Sequence, residues 1–436
     1  MTELPVAESA GSTRWACPFC VLLCDDLEPR PKRSGGGWEL ARGTCRPARA
    51  ALAALPAQPA HASPTVDGVA CDLPTALHAA AARLAASRQP LFGGLGTDVA
   101  GARALYPLAC ATGAICDVAD GAAFMNTVRA TQDRGGYTTT LAEVRQRADV
   151  IVCLAGLPGG DAADFFDRCG WGEARAGARH VVLLGGAAAE RAALTDWPWA
   201  AGVTTESVRV DGDLLTTLAV LAAQLAGRAV RDVPPDIVAL AERLRAARYS
   251  VLAGEPRRWP VQGALLIETA NRIVATLNTS TRAAAFWLGG GGGANTVNQV
   301  FTWLSGLPLR SRAGPAGLEH EPLCFDTARL LADGAVDSVL WLQAFDAACA
   351  PPATTLPLIL IGVPELAASA ARPGSVFVPV STPGIGSAGH LFRADGGVVV
   401  PLTPLSSHYA SALPTAAEVL RGLHDALRVA RAGVPQ

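Results

Sequence analysis

Lysine is almost missing from this chain: Lys32 is the only one, so arginine carries nearly all the positive charge. With the abundant alanine and glycine, that bias points to a GC-rich coding sequence rather than to a chemistry. An excess of either charge is missing too. Lys+Arg is 36 against Asp+Glu 38, a formal net charge of -2. With no block of like charges, nucleic acid and anionic membrane surfaces are excluded as expected partners. Residues 1–14 lack a basic n-region and an apolar h-region, so no secretory signal is expected and the protein reads as cytoplasmic. The longest uncharged run, Ala283 to Leu309, contains Gly289–Gly293, Asn295, Asn298, Gln299 and Pro308, which argue against a membrane span. His61, His78, His180, His320, His390, His408 and His424 form no HxxxH pair, and no GxSxG elbow occurs. An independent metallohydrolase or serine hydrolase is therefore poorly supported.

What is present is apolar material in a regular rhythm. Half of the 436 residues are hydrophobic and 17% are charged, enough for roughly two to four domains' worth of core. Cys71–Ser87 has helical spacing. Leu91–Leu95 reads as a strand, Ala100–Thr112 as a helix closed by Gly113, and Val150–Leu154 and His180–Leu184 as buried strands. Val208–Val210 is a further candidate strand, followed by helices at Asp213–Gly227 and Pro235–Arg248. The pattern restarts at Tyr249–Gly254 and continues with helix Gly263–Leu277, strand Ala283–Leu288 and helix Thr296–Ser305. Strands Ser338–Leu342, Leu358–Gly362 and Val376–Val380 follow, then the helix Thr415–Ala430. Short apolar strands alternating with helices predict an α/β fold of parallel βαβ units, in two doubly wound αβα domains split near 230–250. The expected divisions are 1–60, a cysteine-bearing segment; 61–235, a first α/β domain; and 236–436, a second.

The strongest chemical signal is Cys17-Pro-Phe-Cys20-Val-Leu-Leu-Cys24, with Cys45 further on. Three thiolates converge from one looped segment and a fourth closes the set, which suits a [4Fe-4S] cluster or tetrahedral zinc. A single CxxC pair favours iron–sulfur over zinc; free thiols in a buried hairpin are the third reading. The other seven of the eleven cysteines are scattered among apolar residues.

Ala16–Glu28 followed by Gly43–Ala48 closely resembles the N-terminus of the B subunit of formylmethanofuran dehydrogenase, a family of the molybdopterin oxidoreductases. Three later stretches resemble the same family: Thr140–Val152 its "TxGEVxNRADVxV", Asn295–Pro308 its "NxxGxNxVxTWxxGxP", and Gly384–Gly396 its "GxExxGTxYRxDG". The resemblance implies a molybdopterin-oxidoreductase-like fold in which Cys17, Cys20, Cys24 and Cys45 hold a [4Fe-4S] cluster beside a tungsten or molybdenum pterin. Departures qualify it. The family's metal-ligating cysteine and its following histidine fall on Ala123 and Phe124. The pterin-facing loops become Ala155–Pro158 and Gly185–Ala187, without the acid that would anchor a pterin ring. The glutamate and threonine of the late stretch become Gly386 and His390. Several lost contacts, at a few kcal/mol per unpaired charged contact, imply that molybdopterin or tungstopterin is absent.

The resemblance then implies a B-type subunit that is catalytically inactive by itself, in a bacterial formyltransferase/hydrolase complex. The setting is tetrahydromethanopterin-linked oxidation of formaldehyde to formate. The implied partners are an amidohydrolase-type A subunit, which this chain would brace, and C and D subunits. The alternatives are an active pterin-dependent formylmethanofuran dehydrogenase subunit and an iron–sulfur electron-relay subunit.

Other residues read more plainly. Gly289–Gly293 is either a remnant of a pterin-side loop or a flexible strand-to-helix turn. Asp25 and Asp26 are expected to tie down the cysteine loop. His320 is expected to be a solvated surface histidine, and Asp161, Asp164 and Asp167 a solvated helical face.

Overall fold

The computed structural model describes residues 14–33, 37–55, 62–159, 164–210, 212–259, 261–406 and 412–432. Asp161, His61 and His408 lie outside the described residues. Two sheets organise the chain. One has five parallel strands in the spatial order Arg282–Trp287, Tyr249–Gly254, Val150–Leu154, Arg179–Leu184, Val203–Val208. The other has nine strands around a parallel centre of Ile115–Cys116, Pro90–Gly96, Ser338–Gln343, Leu358–Gly362 and Ser375–Pro379. Antiparallel pairs close both its edges: Ser311–Gly314 with Gly317–His320, and Thr65–Val66 with Val69–Ala70. Among the described residues, no helix is long and apolar enough to cross a membrane.

The parallel strands are buried along their length, as in Val150–Leu154 and Leu358–Gly362. This is why they read as apolar runs rather than alternations: helices cover both faces of a parallel sheet. Helix starts are fixed by short acceptors that satisfy first-turn N–H groups. Asp72 accepts from Thr75 N, Asp98 from Gly101 N, Thr140 from Glu143 N, and Asp213 from Thr216 N. Helix Val99–Thr112 ends on Gly113 in the left-handed region, φ 66°, as expected for a C-terminal glycine.

The α/β expectation holds, and most of the predicted strands and helices are present within a residue or two. The late candidate strand is instead Val203–Val208, upstream of Val208–Val210. The expected division at 235/236 does not follow the sheets. The five-stranded sheet is inserted between Ile115–Cys116 and Ser311–Gly314, two strands that pair with each other through Cys116 and Ser311. Residues 61–235 and 236–436 each supply strands to both sheets. Periodicity reports that a segment is a strand; it does not report which distant strand lies beside it.

The N-terminal segment is not a separate body. Trp15, Cys17, Leu22, Leu27 and Leu52 share a core with Ile151, Val251, Phe165, Phe286 and Ile385. Glu28–Pro31 and Trp38–Arg42 form an antiparallel hairpin, and helix Arg46–Ala54 follows.

Candidate functional site

The cysteine loop is closed by Cys17 N–H donating to the Cys24 carbonyl at 2.9 Å and Leu23 N–H to the Cys20 carbonyl at 3.3 Å. Leu23 takes φ 42° to make the turn. Cys45 caps helix Arg46–Ala54, and all four cysteines are buried. The Cys45 sulfur accepts hydrogen bonds from the Cys17 and Cys24 thiols, which hold it down to about 3. Its partners move the other way. Burial raises Cys17 well above the ordinary thiol range, the bond to Cys45 and then burial raise Cys24, and burial pushes Cys20 up to about 12. Cys17, Cys24 and Cys45 thus influence one another directly, while Cys20 is moved mainly by burial.

The set is tied to its surroundings by charge. Arg168 pairs with Asp25 at 2.5 Å and reaches Asp26 at 3.6 Å, so the two aspartates do anchor the loop. Asp164 accepts from Arg46 N at 2.6 Å and Arg46 Nε at 2.7 Å. Soft, buried thiol donors are the chemistry of a [4Fe-4S] or zinc site. Cys17, Cys20, Cys24 and Cys45 are the residues that would hold such a group. Among the described residues, no set of three or more potential ligands is disposed to bind a metal ion.

All four stretches that carry the family resemblance meet around this loop. Trp15 Nε1 donates to the Gly384 carbonyl at 2.6 Å, and Ala394 N–H to the Val21 carbonyl at 3.0 Å. Leu141 N–H donates to Asp395 at 3.3 Å, and Asp395 pairs with Arg393 at 2.7 Å. Asn295 Nδ2 donates to the Arg393 carbonyl at 3.2 Å, and Thr296 Oγ1 accepts from Phe392 N–H at 2.9 Å. Segments far apart in sequence are thus brought to one place: the cysteine loop, the starts of helices Leu141–Arg147 and Ala294–Ser305, and strand Gly389–Phe392 with its flanking turns.

The place itself is filled. Ala123 and Phe124 begin helix Gly121–Arg134, and a Cβ on Gly290 would lie 3.3 Å from the Phe124 ring. The turn Gly289–Gly293 packs onto the central strands of the nine-stranded sheet. A Cβ on Gly293 would overlap the Thr97 carbonyl, and one on Gly96 would meet the Gly292 carbonyl at 2.6 Å. Gly290, Gly292 and Gly293 all take positive φ, which only glycine adopts without strain. Part of the turn's hydrogen bonding is internal. Ala294 and Asn295 spend their N–H groups on the carbonyls of Gly291 and Gly290, at 3.1 Å and 3.0 Å.

The loops at the carboxyl ends of the five-stranded sheet are closed by charge. Arg258 donates to Glu190 at 2.5 Å and to Glu255 at 3.0 Å, and Gly159 N–H donates to Glu255 at 2.7 Å. Gly185 and Gly186 take φ 84° and 86°, and Ala187 follows with no acid. Gly386 and His390 likewise offer no carboxylate or hydroxyl. The residues present here do not fit a pterin dinucleotide, whose many polar groups would need partners in these loops.

Some expectations change. Asp164 is buried at 4% exposure and bound to Arg46, so of the expected solvated aspartates only Asp167 is exposed among the described residues. His320 is half-buried, with Nδ1 3.0 Å from the Arg310 carbonyl and Nε2 buried without a partner, rather than solvated. Nothing in the sequence singles out Glu190, Glu255 and Arg258. The one available signal is that Glu255-Pro-Arg-Arg258 follows a strand directly.

A scan against models of known protein families gives no match. The B subunit of the formyltransferase/hydrolase complex Fhc of Methylorubrum extorquens is 30% identical over 338 residues, spanning 77% of this chain and 89% of that protein. A chain in the crystal structure of the FhcABCD complex of the same organism, solved in complex with methylofuran, superposes with TM-score 0.71 at 29% identity. The superposition covers 85% of this chain and 100% of that one. Identity, coverage and shared architecture lead to one conclusion: this chain belongs to the family of the B subunits of formyltransferase/hydrolase complexes.

Proposed function

We propose that the chain is the non-redox B subunit of a formyltransferase/hydrolase complex, acting in the one-carbon route from formaldehyde to formate. Its role is to brace the hydrolase subunit, an amidohydrolase-type A chain, alongside C and D subunits. The observation that carries this reading is the pair Ala123 and Phe124. Within an otherwise assembled family region, a methyl and a phenyl stand where a metal ligand and a proton carrier are expected. A methyl group has no lone pair to offer a metal, and a phenyl ring moves no proton. The crowded loops around them support the same reading.

A non-catalytic brace makes a sharp claim about the residues of the filled region. Phe124→Ala, Asn295→Ala and His390→Ala, each in the assembled complex, are expected to change hydrolysis of the formylated carrier by less than about twofold. A loss of about tenfold or more in a complex that still assembles would place a catalytic group in this chain. A second reading, an iron–sulfur relay, is favoured by the four converging thiols alone. It requires a redox partner for the cluster.

A further inference from the structure

The chain leaves helix Gly121–Arg134 on two glycines. Gly135 takes φ 68°, a conformation that only glycine adopts without strain, and its N–H closes the helix on the Thr131 carbonyl at 2.8 Å. The loop is then held from two sides. Asn271 Nδ2, on helix Gly263–Leu277, donates to the Gly135 carbonyl at 3.1 Å, and Ala285 N–H donates to the Tyr137 carbonyl at 2.7 Å. The end of one helix and the face of the other bound a recess of about 230 Å³, lined by Arg134, Tyr137, Glu268, Asn271 and Arg272. It lies apart from the filled family region. Ala123 stands at the other end of the same helix, about 16 Å from Arg134 along the axis.

The polar groups of this recess are not spent on one another. Among the described residues, Arg134, Glu268 and the Tyr137 hydroxyl have no ion-pair or hydrogen-bond partner, and Arg272 reaches only Thr269 Oγ1, at 3.2 Å. Glu268 and Arg272 are one turn apart, a spacing at which opposite charges ordinarily pair on a helix, yet they do not pair. Beside them Asn271 is 6% exposed, and its Oδ1 is buried without a donor. A buried amide oxygen left in this state is unfavourable and marks where a donor belongs. Gly136 lies against the same amide: a Cβ there would come within 3.3 Å of Asn271 Nδ2, so a side chain at this position would cover it.

We infer that the recess binds a small amino-dicarboxylic acid, whose carboxylates meet Arg134 and Arg272 and whose ammonium group meets Glu268 and Asn271 Oδ1. The charges decide the class. Two unpaired guanidinium groups call for two oxyanions, and arginine takes a carboxylate through paired N–H donors. One unpaired carboxylate beside an orphaned amide oxygen calls for one N–H cation. The size agrees, because the volume is below the ~300–1,000 Å³ of sites that enclose larger ligands.

L-Aspartate, and succinate as the same dianion without the ammonium group, are titrated calorimetrically into the full chain with its copurifying subunits. Aspartate is expected to bind in the millimolar range or tighter, and succinate about tenfold more weakly or worse. Arg134→Ala and Arg272→Ala should each weaken aspartate by about tenfold or more; both side chains are exposed, so both variants should fold. Glu268→Gln should erase the preference for aspartate over succinate, which a merely structural role would leave in place. Wild type that binds no aspartate, or binds it no better than succinate, would overturn the inference. Aspartate affinity unchanged in both arginine variants would overturn it as well.

Discussion

Asp117→Ala is expected to destabilise the protein by ~3 kcal/mol, because it strands a buried guanidinium. The Asp117 and Arg310 side chains are 1% and 3% exposed and 3.1 Å apart. Asp117 also accepts from Thr327 N–H and Thr327 Oγ1, each at 2.9 Å, and from Val118 N–H at 3.0 Å. Arg310 keeps a second carboxylate, Asp326 at 2.5 Å, which holds the cost near the lower end of the range for broken buried pairs. Burial pushes the Asp117 carboxyl up against the pull of Arg310, so the pair is expensive to desolvate. Replacing both partners by apolar residues, Asp117→Leu with Arg310→Met, should therefore cost less than Asp117→Leu alone. Denaturant midpoints of the three variants check this. A double variant less stable than the single one would mean that the pair is a net stabiliser. The pair holds the hairpin Ser311–His320 to strand Ile115–Cys116, the seam on either side of the inserted sheet.

Trp15→Ala is expected to cost ~3–5 kcal/mol and to uncover the cysteine set. Trp15 is 2% exposed, and its indole N–H reaches the Gly384 carbonyl at 2.6 Å, fastening the N-terminal segment to the 384–396 stretch. Removing the ring leaves a cavity beside Pro18, which packs against Gly384. Trp15 and the four cysteines share one buried core, so the cavity is expected to admit a thiol reagent to the set, in which Cys45 is the thiol its neighbours hold down. Modification of Cys45 should become fast in Trp15→Ala and stay slow in wild type, where the residue is 4% exposed. Equal rates in the two proteins would show that Trp15 does not guard the set. Wild-type reactivity of all four thiols would contradict the buried network described above.

Elements carried by local chemistry are legible in the sequence. Val150–Leu154, Tyr249–Gly254, Gly263–Leu277 and Leu358–Gly362 stand where apolar runs and caps place them. Helix Gly121–Arg134 is not, because its exposed face and weak apolar stripe leave little periodic signal. The interleaving of the two sheets is also illegible. It depends on Cys116 meeting Ser311 and on Pro90–Gly96 lying beside Ser338–Gln343, and no local pattern encodes either.

The site divides in the same way. Cys17, Cys20, Cys24 and Cys45 announce themselves by spacing, and Ala123 and Phe124 by departure from a family pattern. The closing residues do not, since Glu190, Glu255 and Arg258 are ordinary charges until three distant loops bring them together. A glycine run such as Gly289–Gly293 serves a phosphate cradle and a tight turn equally well. Only its hydrogen bonds distinguish the two, and here those of Ala294 and Asn295 are internal.

The proposed loss of a tungsten or molybdenum redox centre is decided by the metal content of the chain. Elemental analysis of the native complex, purified without oxygen, gives tungsten, molybdenum, iron and zinc per chain. Neither tungsten nor molybdenum assignable to this subunit is expected, whatever iron or zinc the four cysteines hold. Tungsten or molybdenum near one per chain would contradict that loss, and would make the chain a redox enzyme despite Ala123.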